Sequence, residues 1–212
     1  MDQTSLFAIT ISRQLGSGGA YLGQQLAKNL NIFYADREII SQAAKQFSVL
    51  DEELESIDEK KGSFWDSFLH SFELGFADPY KPPRITLPPD LILFNAQSEI
   101  IKRITKERSA VIIGRCGSYI LREHPNHVSI FLHADVAFRI DRVRKLYNVT
   151  EKEAERMIVK SDKERSQYFH SFTGEEWTDA RQYDISINAG KIDIDESVKL
   201  IMEFLQTGLL KR

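Results

Sequence analysis

The sequence has little cysteine, little net charge and no long apolar run, and each shortage excludes a class of protein. Its 212 residues include one cysteine, Cys116, so the chain can form neither an intramolecular disulfide nor a cysteine-rich metal site. No segment approaches the roughly 18 uninterrupted apolar residues of a membrane-spanning helix. The net charge of −3 argues against a general nucleic-acid coat. Because the N-terminus also lacks the pattern of a signal peptide, we expect a cytoplasmic protein that binds neither nucleic acid nor membranes.

The apolar patterning indicates one globular domain with an α/β fold. Hydrophobic residues make up 42% of the chain and charged residues 28%, which is the balance of a globular protein. Five short runs rich in β-branched or aromatic residues lie at residues 6–11, 32–35, 110–113, 128–132 and 184–187, and most of them are apolar on both faces, as buried strands are. Helical spacings lie between them, such as Leu22, Leu26 and Leu30, or Phe138, Val143 and Leu146. Strands that alternate with helices predict a parallel sheet.

Two segments interrupt this alternation. Residues 50–90 combine an acidic stretch, phenylalanines at every fourth position and five of the six prolines, which predicts a helical, proline-rich insertion. The aromatic segment 62–80 either packs on its own core, lines a substrate, or contacts a second copy to form a homodimer. Residues 138–174 contain the second interruption, where Thr150 followed by Glu153 predicts a capping box at the start of a helix.

A glycine-rich turn between the first predicted strand and the first predicted helix is the most informative feature. Glycine occupies positions 16, 18 and 19, and a turn of this kind lets backbone N–H groups and a helix N-terminus approach one anion. We therefore predict phosphate binding by the residues of this turn: Ser12, Arg13, Gly16, Ser17, Gly18 and Gly19.

Two phosphate-binding patterns match the turn equally poorly. In the P-loop pattern G-x-x-x-x-G-K-[ST], Gly19 stands at the lysine and Ala20 at the hydroxyl residue. In the dinucleotide pattern G-x-G-x-x-G, Tyr21 replaces the third glycine, although Asp36 lies where a ribose-binding acid is expected. The turn alone therefore leaves a kinase loop and a dinucleotide loop as alternatives.

Arginines beyond the turn favour phosphoryl transfer. Arg115 follows the third predicted strand, Arg139 and Arg142 are spaced i, i+3 on one helix face, and Arg165 lies beyond them. Phosphoryl transfer needs such cations because charge spreads over the transferred group. Residues 139–165 hold nine basic and six acidic residues, a local +3 against −6 in the remainder. The mildly acidic total therefore hides a basic segment that suits an anionic ligand.

Several motifs together resemble the cytidylate kinase-like family of P-loop proteins. They are residues 11–19 (ISRQLGSGG), 33–38 (FYADRE), 111–116 (VIIGRC), 131–134 (FLHA), 162–165 (DKER) and 183–188 (YDISIN). The resemblance implies a three-layer P-loop NTPase fold with a five-stranded parallel sheet, a helical lid and a helical insertion. It also implies ATP and Mg²⁺ as cofactors and a nucleotide or another small phosphate as substrate.

The same resemblance divides the chain, a single domain over residues 1–212, into functional parts. Residues 1–49 and 91–137 would form the core, 50–90 the acceptor-side insertion, 138–174 the lid, and 175–212 the last strand and helix. Residues 16–19 would bind the donor phosphates. Asp36, Arg37 and Arg115 would face the acceptor, while Arg139, Arg142 and Arg165 would clamp the transferred group. The catalytic candidates are thus Asp36, Arg115, Arg139, Arg142 and Arg165.

The absent lysine and hydroxyl leave a second function open. Arg13 either compensates for the missing lysine or pins the turn, and the chain is either a kinase or a non-catalytic module that senses a nucleotide. We predict no metal site built from side chains, because the five histidines show no ligand spacing. We expect His124 and His127 at the surface, and Cys116 as a small buried residue rather than a reactive thiol.

Overall fold

A computed structural model describes residues 6–37, 39–42 and 91–208 of the chain. Within these residues the strands are β1 (Ala8–Arg13), β2 (Phe33–Ala35), β3 (Ala110–Ile113), β4 (His127–His133) and β5 (Ile185–Asn188). They form one parallel sheet in the order β2-β3-β1-β4-β5. All five predicted strands are confirmed, with their ends moved by at most two residues. The predicted insertion 50–90, including its aromatic segment 62–80, lies outside the described residues.

Helices cover both faces of this sheet. In the described residues they are α1 (Gly19–Leu30), α2 (Leu91–Glu107), α3 (Gly117–Ile120), α4 (Val136–Tyr147), α5 (Glu151–Thr173) and α6 (Ile194–Gly208). Leu22 of α1 and Ile201 of α6 pack with β1 on one face. Ile101 of α2 packs with Ile112 of β3 on the other face. The result is the predicted three-layer α/β fold, and none of the described helices is long and apolar enough to cross a membrane.

Helices α4 and α5 form a hairpin beside the glycine-rich turn. The predicted capping box is confirmed: the Thr150 side chain accepts the backbone N–H of Glu153, whose carboxylate accepts the backbone N–H of Thr150. Of the three apolar residues that predicted α4, Val143 is fully buried, but Phe138 and Leu146 are 38% and 62% exposed. Since α4 packs on α5 and the turn rather than flat on the sheet, only one stripe of the helix is covered.

Two further predictions concern buried polar groups. Cys116 is buried among aromatic residues of β4 and α5, and this burial raises the pKa of its thiol to about 12, as expected for a structural cysteine. The prediction that His127 lies at the surface is wrong. His127 begins β4, its Nε2 is 2.7 Å from the Thr10 hydroxyl, and burial lowers its pKa to about 4.

Candidate functional site

The glycine-rich turn follows β1 and leads directly into α1. The Ser17 hydroxyl is fully buried and donates to the Gln14 carbonyl at 2.8 Å, which closes the turn. Ser12, next to the last residue of β1, is also buried. Gly18 has a φ of 91°, a left-handed conformation that favours glycine, and it caps the N-terminus of α1. The two predicted serines are therefore buried beneath the turn, whereas Gly16 and Gly18 are partly exposed and form its outer edge.

A cleft of about 280 Å³ lies over this outer edge. It brings together six of the predicted site residues: Arg13, Gly16, Gly18, Gly19, Arg142 and Arg165. Its remaining lining in the described residues is Gln14, Leu15, Ala20, Tyr21, Gln24, Leu146 and Tyr147. Three arginines thus line one cleft together with three glycines of the turn, of which Gly16 and Gly18 are partly exposed, an arrangement that suits an anion of several charges.

Arg142 lies directly against the turn. A Cβ atom added to Gly18 would be 3.2 Å from both Cζ and Nη2 of Arg142, so the absence of a side chain at position 18 makes room for the guanidinium. The Nε of Arg142 is buried and has no hydrogen-bond partner among the described residues. A buried guanidinium nitrogen without an acceptor is a position at which a ligand oxygen would be stabilised.

Arg139 approaches the turn in a different way. A Cβ on Gly16 would be 2.8 Å from the Arg139 carbonyl oxygen, so the backbones of the turn and of α4 are in contact. The Arg139 side chain is buried, and its Nη1 donates to Asp162 Oδ2 at 2.5 Å and to the Leu15 carbonyl at 3.4 Å. These protein acceptors favour a positioning role for Arg139 over direct contact with a phosphate.

Asp162 is the residue to which the sequence reasoning gave no role. Its Oδ1 accepts the backbone N–H of Leu15 at 3.0 Å, and its Oδ2 accepts Arg139. Arg165, three residues further along α5, donates to the Arg13 carbonyl at 2.8 Å. One face of α5 therefore fixes both the start and the middle of the turn. The i, i+3 spacing of Asp162 and Arg165 was the available sequence signal.

Arg115 lies at the carboxyl end of β3, outside the lining of this cleft. Gly114, Arg115 and Cys116 all have left-handed backbones, with φ of 72°, 54° and 55°. Two successive non-glycine residues in this region cost roughly 1–2 kcal/mol each, and such strain is concentrated at functional sites. The strained turn directs the Arg115 side chain towards α5, where Cζ lies 5.2 Å from the centre of the Tyr168 ring.

A closed ring of polar contacts surrounds Arg115. Its Nη2 donates to the Ser41 hydroxyl, Gln97 donates to the same hydroxyl, and Tyr168 donates to Gln97, each at 3.2 Å. Burial raises the pKa of Tyr168, while the charges of Arg115 and Arg37 act in the opposite direction. Of the predicted acceptor-side residues, Arg115 thus contacts the Tyr168 ring, and the charge of Arg37 also acts on the Tyr168 hydroxyl.

Asp36, the third acceptor-side prediction, has a structural contact at the end of β2. Its Oδ1 accepts the backbone N–H of Ile39 at 3.1 Å, which caps the helical residues 39–42 that carry Ser41. Asp36 therefore helps to place one member of the ring around Arg115.

Comparisons with known proteins bear on the family and the fold of the chain. The model of the cytidylate kinase-like family matches residues 8–191. A cytidylate kinase of Saccharolobus islandicus is 26% identical over 109 residues, 51% of this chain and 57% of that protein. A cytidylate kinase of Sulfurisphaera tokodaii is 25% identical over 113 residues, 53% of this chain and 62% of that protein. The matched part of the chain thus spans little more than half the length of these curated relatives.

Solved structures show the same fold over nearly the whole chain. An uncharacterized protein from Eubacterium ventriosum is 27% identical, with a TM-score of 0.70 over 94% of this chain and 98% of that one. A shikimate kinase from Bacteroides thetaiotaomicron, 14% identical, gives a TM-score of 0.51 over 95% and 99% of the two chains. Its likeness concerns the P-loop kinase fold alone. The family match extends from β1 through the turn and the α4–α5 hairpin to the loop after β5, and the chain therefore belongs to the cytidylate kinase-like family.

Proposed function

We propose that the chain transfers the γ-phosphoryl group of ATP to a nucleoside monophosphate such as cytidylate, or to a related small phosphate acceptor. The observation that carries this proposal is the cleft in which Arg13, Arg142 and Arg165 face the glycine-rich turn. Backbone N–H groups at the start of α1 would hold the donor phosphates. The guanidinium groups would stabilise the negative charge on the transferred group, which is the main task of a phosphoryl-transfer enzyme.

The acceptor would bind at the carboxyl ends of β2 and β3, next to this cleft. Ligands of open α/β sheets bind at that edge, and Arg115 is held there by two neutral groups, the Ser41 hydroxyl and the Tyr168 ring. Neutral neighbours leave the guanidinium charge available for the phosphate of an acceptor. In this proposal residues 50–90 complete the acceptor side, and residues 138–174 act as the lid over the core.

The residues of the cleft fit a polyphosphate better than they fit a metal ion. Ala20 supplies no hydroxyl for Mg²⁺, and the described residues contain no cluster of three His, Cys, Asp or Glu side chains that could hold a metal. Mg²⁺ usually keeps several waters and binds through substrate phosphates and one or two carboxylates. We therefore propose that the chain's arginines bind and orient the phosphates, and that Mg²⁺ bound to ATP would supply further neutralisation of the phosphate charge.

A second candidate is a non-catalytic module that binds a nucleotide. Gly19 and Ala20 in place of lysine and a hydroxyl residue favour it, since both side chains contact the phosphates or Mg²⁺ in the P-loop pattern. This alternative predicts saturable ATP binding with no phosphoryl transfer.

One experiment separates the two candidates. The full chain would be incubated with ATP, MgCl₂ and a panel of CMP, dCMP, UMP, AMP and GMP, and ADP formation would be followed together with ATP binding by calorimetry. ADP formation that depends on one acceptor supports the kinase. Saturable ATP binding without ADP supports the module, and a chain that binds no ATP would contradict both.

Single arginine replacements test the roles within the kinase proposal. We expect Arg142→Ala and Arg115→Ala each to lower turnover about a hundredfold, because one well-aimed donor is worth about 3 kcal/mol in the transition state. Arg144→Ala is the matched control: Arg144 lies on the same helix, is 47% exposed and pairs with Glu151 at 3.8 Å. Turnover close to that of the control in both Arg142→Ala and Arg115→Ala would refute the arginine clamp.

A further inference from the structure

Position 19, at which the P-loop pattern has its lysine, is closed to side chains by Arg13. A Cβ atom added to Gly19 would be 2.6 Å from Cβ and 2.7 Å from Cγ of Arg13. Atoms of close-packed side chains do not approach so near. The aliphatic part of Arg13 therefore fills the space into which a side chain at position 19 would begin, and this stem at position 13 requires glycine at position 19.

The far end of the same side chain lies at the turn after β3. Nη1 of Arg13 occupies the space of a Cβ on Gly114, a residue whose φ is 72°. The side chain thus runs from the last residue of β1, across the first residue of α1, to the residue that precedes Arg115. Arg13 also lines the cleft with Arg142 and Arg165. Its guanidinium lies against Gly114, the residue before Arg115, so the side chain extends from the donor turn towards the proposed acceptor end.

The backbone of Arg13 is fixed as firmly as the turn itself. Arg13 pairs with Leu132 at the end of β4, and its carbonyl accepts Arg165 Nη1 at 2.8 Å. A guanidinium whose stem is held at both ends loses little conformational freedom when it binds an anion, which strengthens binding. Its planar fork can also contact two phosphate oxygens at once.

We propose that Arg13 replaces the P-loop lysine as the cation that binds the terminal phosphates of a nucleoside triphosphate. The inference deepens the proposed function, since it takes the donor to be ATP, but it concerns binding rather than transfer. Two properties follow. Loss of the Arg13 charge should weaken ATP binding much more than AMP binding, and a lysine at position 19 should take over only when the stem of residue 13 is removed.

The test measures dissociation constants for ATP and AMP by calorimetry, without an acceptor, on variants whose folding is checked by thermal unfolding. Arg13→Gln keeps the stem and removes the charge, Arg13→Lys keeps the charge, and Arg144→Ala is the control. We expect Arg13→Gln to weaken ATP binding about tenfold or more, as the loss of a charged hydrogen bond does, with AMP binding within about twofold. Arg13→Lys should retain part of the preference for ATP.

A relocation pair tests the steric part of the inference. In Arg13→Gly/Gly19→Lys the cation moves to the P-loop position and the obstructing Cβ is gone, so the preference for ATP should return relative to Arg13→Gly alone. In Arg13→Gln/Gly19→Lys the stem still blocks position 19, and the preference should stay lost. Equal recovery in both double variants would overturn the proposal, as would ATP binding by Arg13→Gln that equals the control.

The outcomes separate this inference from the kinase proposal. A wild-type chain that binds ATP through Arg13 but forms no ADP would remove the kinase proposal and keep the inference. Normal ADP formation by Arg13→Gln, with an unchanged KM for ATP, would overturn the inference and keep the kinase. A wild-type chain that binds no ATP would overturn both.

Discussion

Asp162 joins α5 to the glycine-rich turn, and replacing it with alanine removes both connections at once. Oδ1 accepts the Leu15 backbone N–H at 3.0 Å, and Oδ2 accepts Arg139 Nη1 at 2.5 Å. The side chains of Arg139 and Asp162 are 6% and 18% exposed, so water replaces little of what is lost. The variant therefore leaves a buried guanidinium and a backbone N–H without their carboxylate.

The expected loss of stability follows from these contacts. Removing one partner of a buried ion pair typically costs about 3–5 kcal/mol, and an unsatisfied N–H adds about 1–3 kcal/mol. The 18% exposure of Asp162 lets water reach the site in part, so we expect Asp162→Ala to lose about 3 kcal/mol of unfolding free energy. Asp162→Asn keeps an acceptor for Leu15 and should lose less.

Urea unfolding followed by circular dichroism at pH 7 measures these differences. A double-mutant cycle with Arg139→Met isolates the coupling between Arg139 and Asp162, because the double variant leaves neither member of that pair without its partner and should be more stable than the sum of the single effects predicts. The longer ion pair from Arg165 to Asp162, at 4.0 Å, is lost in both Asp162 variants and cancels in the cycle. Asp141→Ala is the control, since its pair with Lys145 is exposed and worth well under about 1 kcal/mol. A loss below about 1 kcal/mol for Asp162→Ala, or strict additivity in the cycle, would refute the reasoning.

Two further predictions concern the turn and the sheet. Gly16→Ala should lose more stability and more ATP affinity than Gly174→Ala. Both glycines have positive φ, but a Cβ added to Gly16 lies 2.8 Å from the Arg139 carbonyl oxygen, whereas a Cβ added to Gly174 has no atom within 4 Å. Equal unfolding free energies of the two variants would contradict this prediction. The pKa of His127 is lowered by burial from 6.5 to about 4, so the unfolded chain binds the proton first and stability is lost as pH falls through this window. Relative to His127→Gln, the wild type should lose about 3 kcal/mol between pH 7 and pH 4, measured by urea unfolding; parallel pH profiles would contradict it.

The strands could be predicted because their signal is local. Most of the runs are apolar on both faces, a pattern typical of strands that are buried in a parallel sheet. The exact ends of the strands could not be predicted, because they depend on pairing with neighbouring strands. Strand β1 continues to Arg13, two residues beyond the apolar run, because its last two residues pair with Phe131 and Leu132 of β4. Pairing also explains the error at His127, which starts β4 and finds a hydrogen-bond partner in β1.

The site shows the same division between local and tertiary information. Six of the residues predicted from the glycine and arginine patterns line one cleft; that the cleft binds phosphate stays a prediction. The i, i+3 spacing of Arg139 and Arg142 placed both beside the turn but could not tell which guanidinium would be buried against protein acceptors. That depends on Leu15, 124 residues away, and on Asp162. The exclusion of a side chain at position 19 by Arg13 also appears only when strand and helix are placed together.

Helix α5 touches both halves of the proposed reaction. Asp162 and Arg165 hold the donor turn, and Tyr168, one to two turns further on, lies against Arg115 at the acceptor end. A straight helix moves as one body, so a displacement that frees the donor turn also moves Tyr168. If donor binding changes the position of α5 and thereby the affinity for the acceptor, then acceptor binding changes the affinity for the donor by the same factor, because coupling between two binding sites is reciprocal.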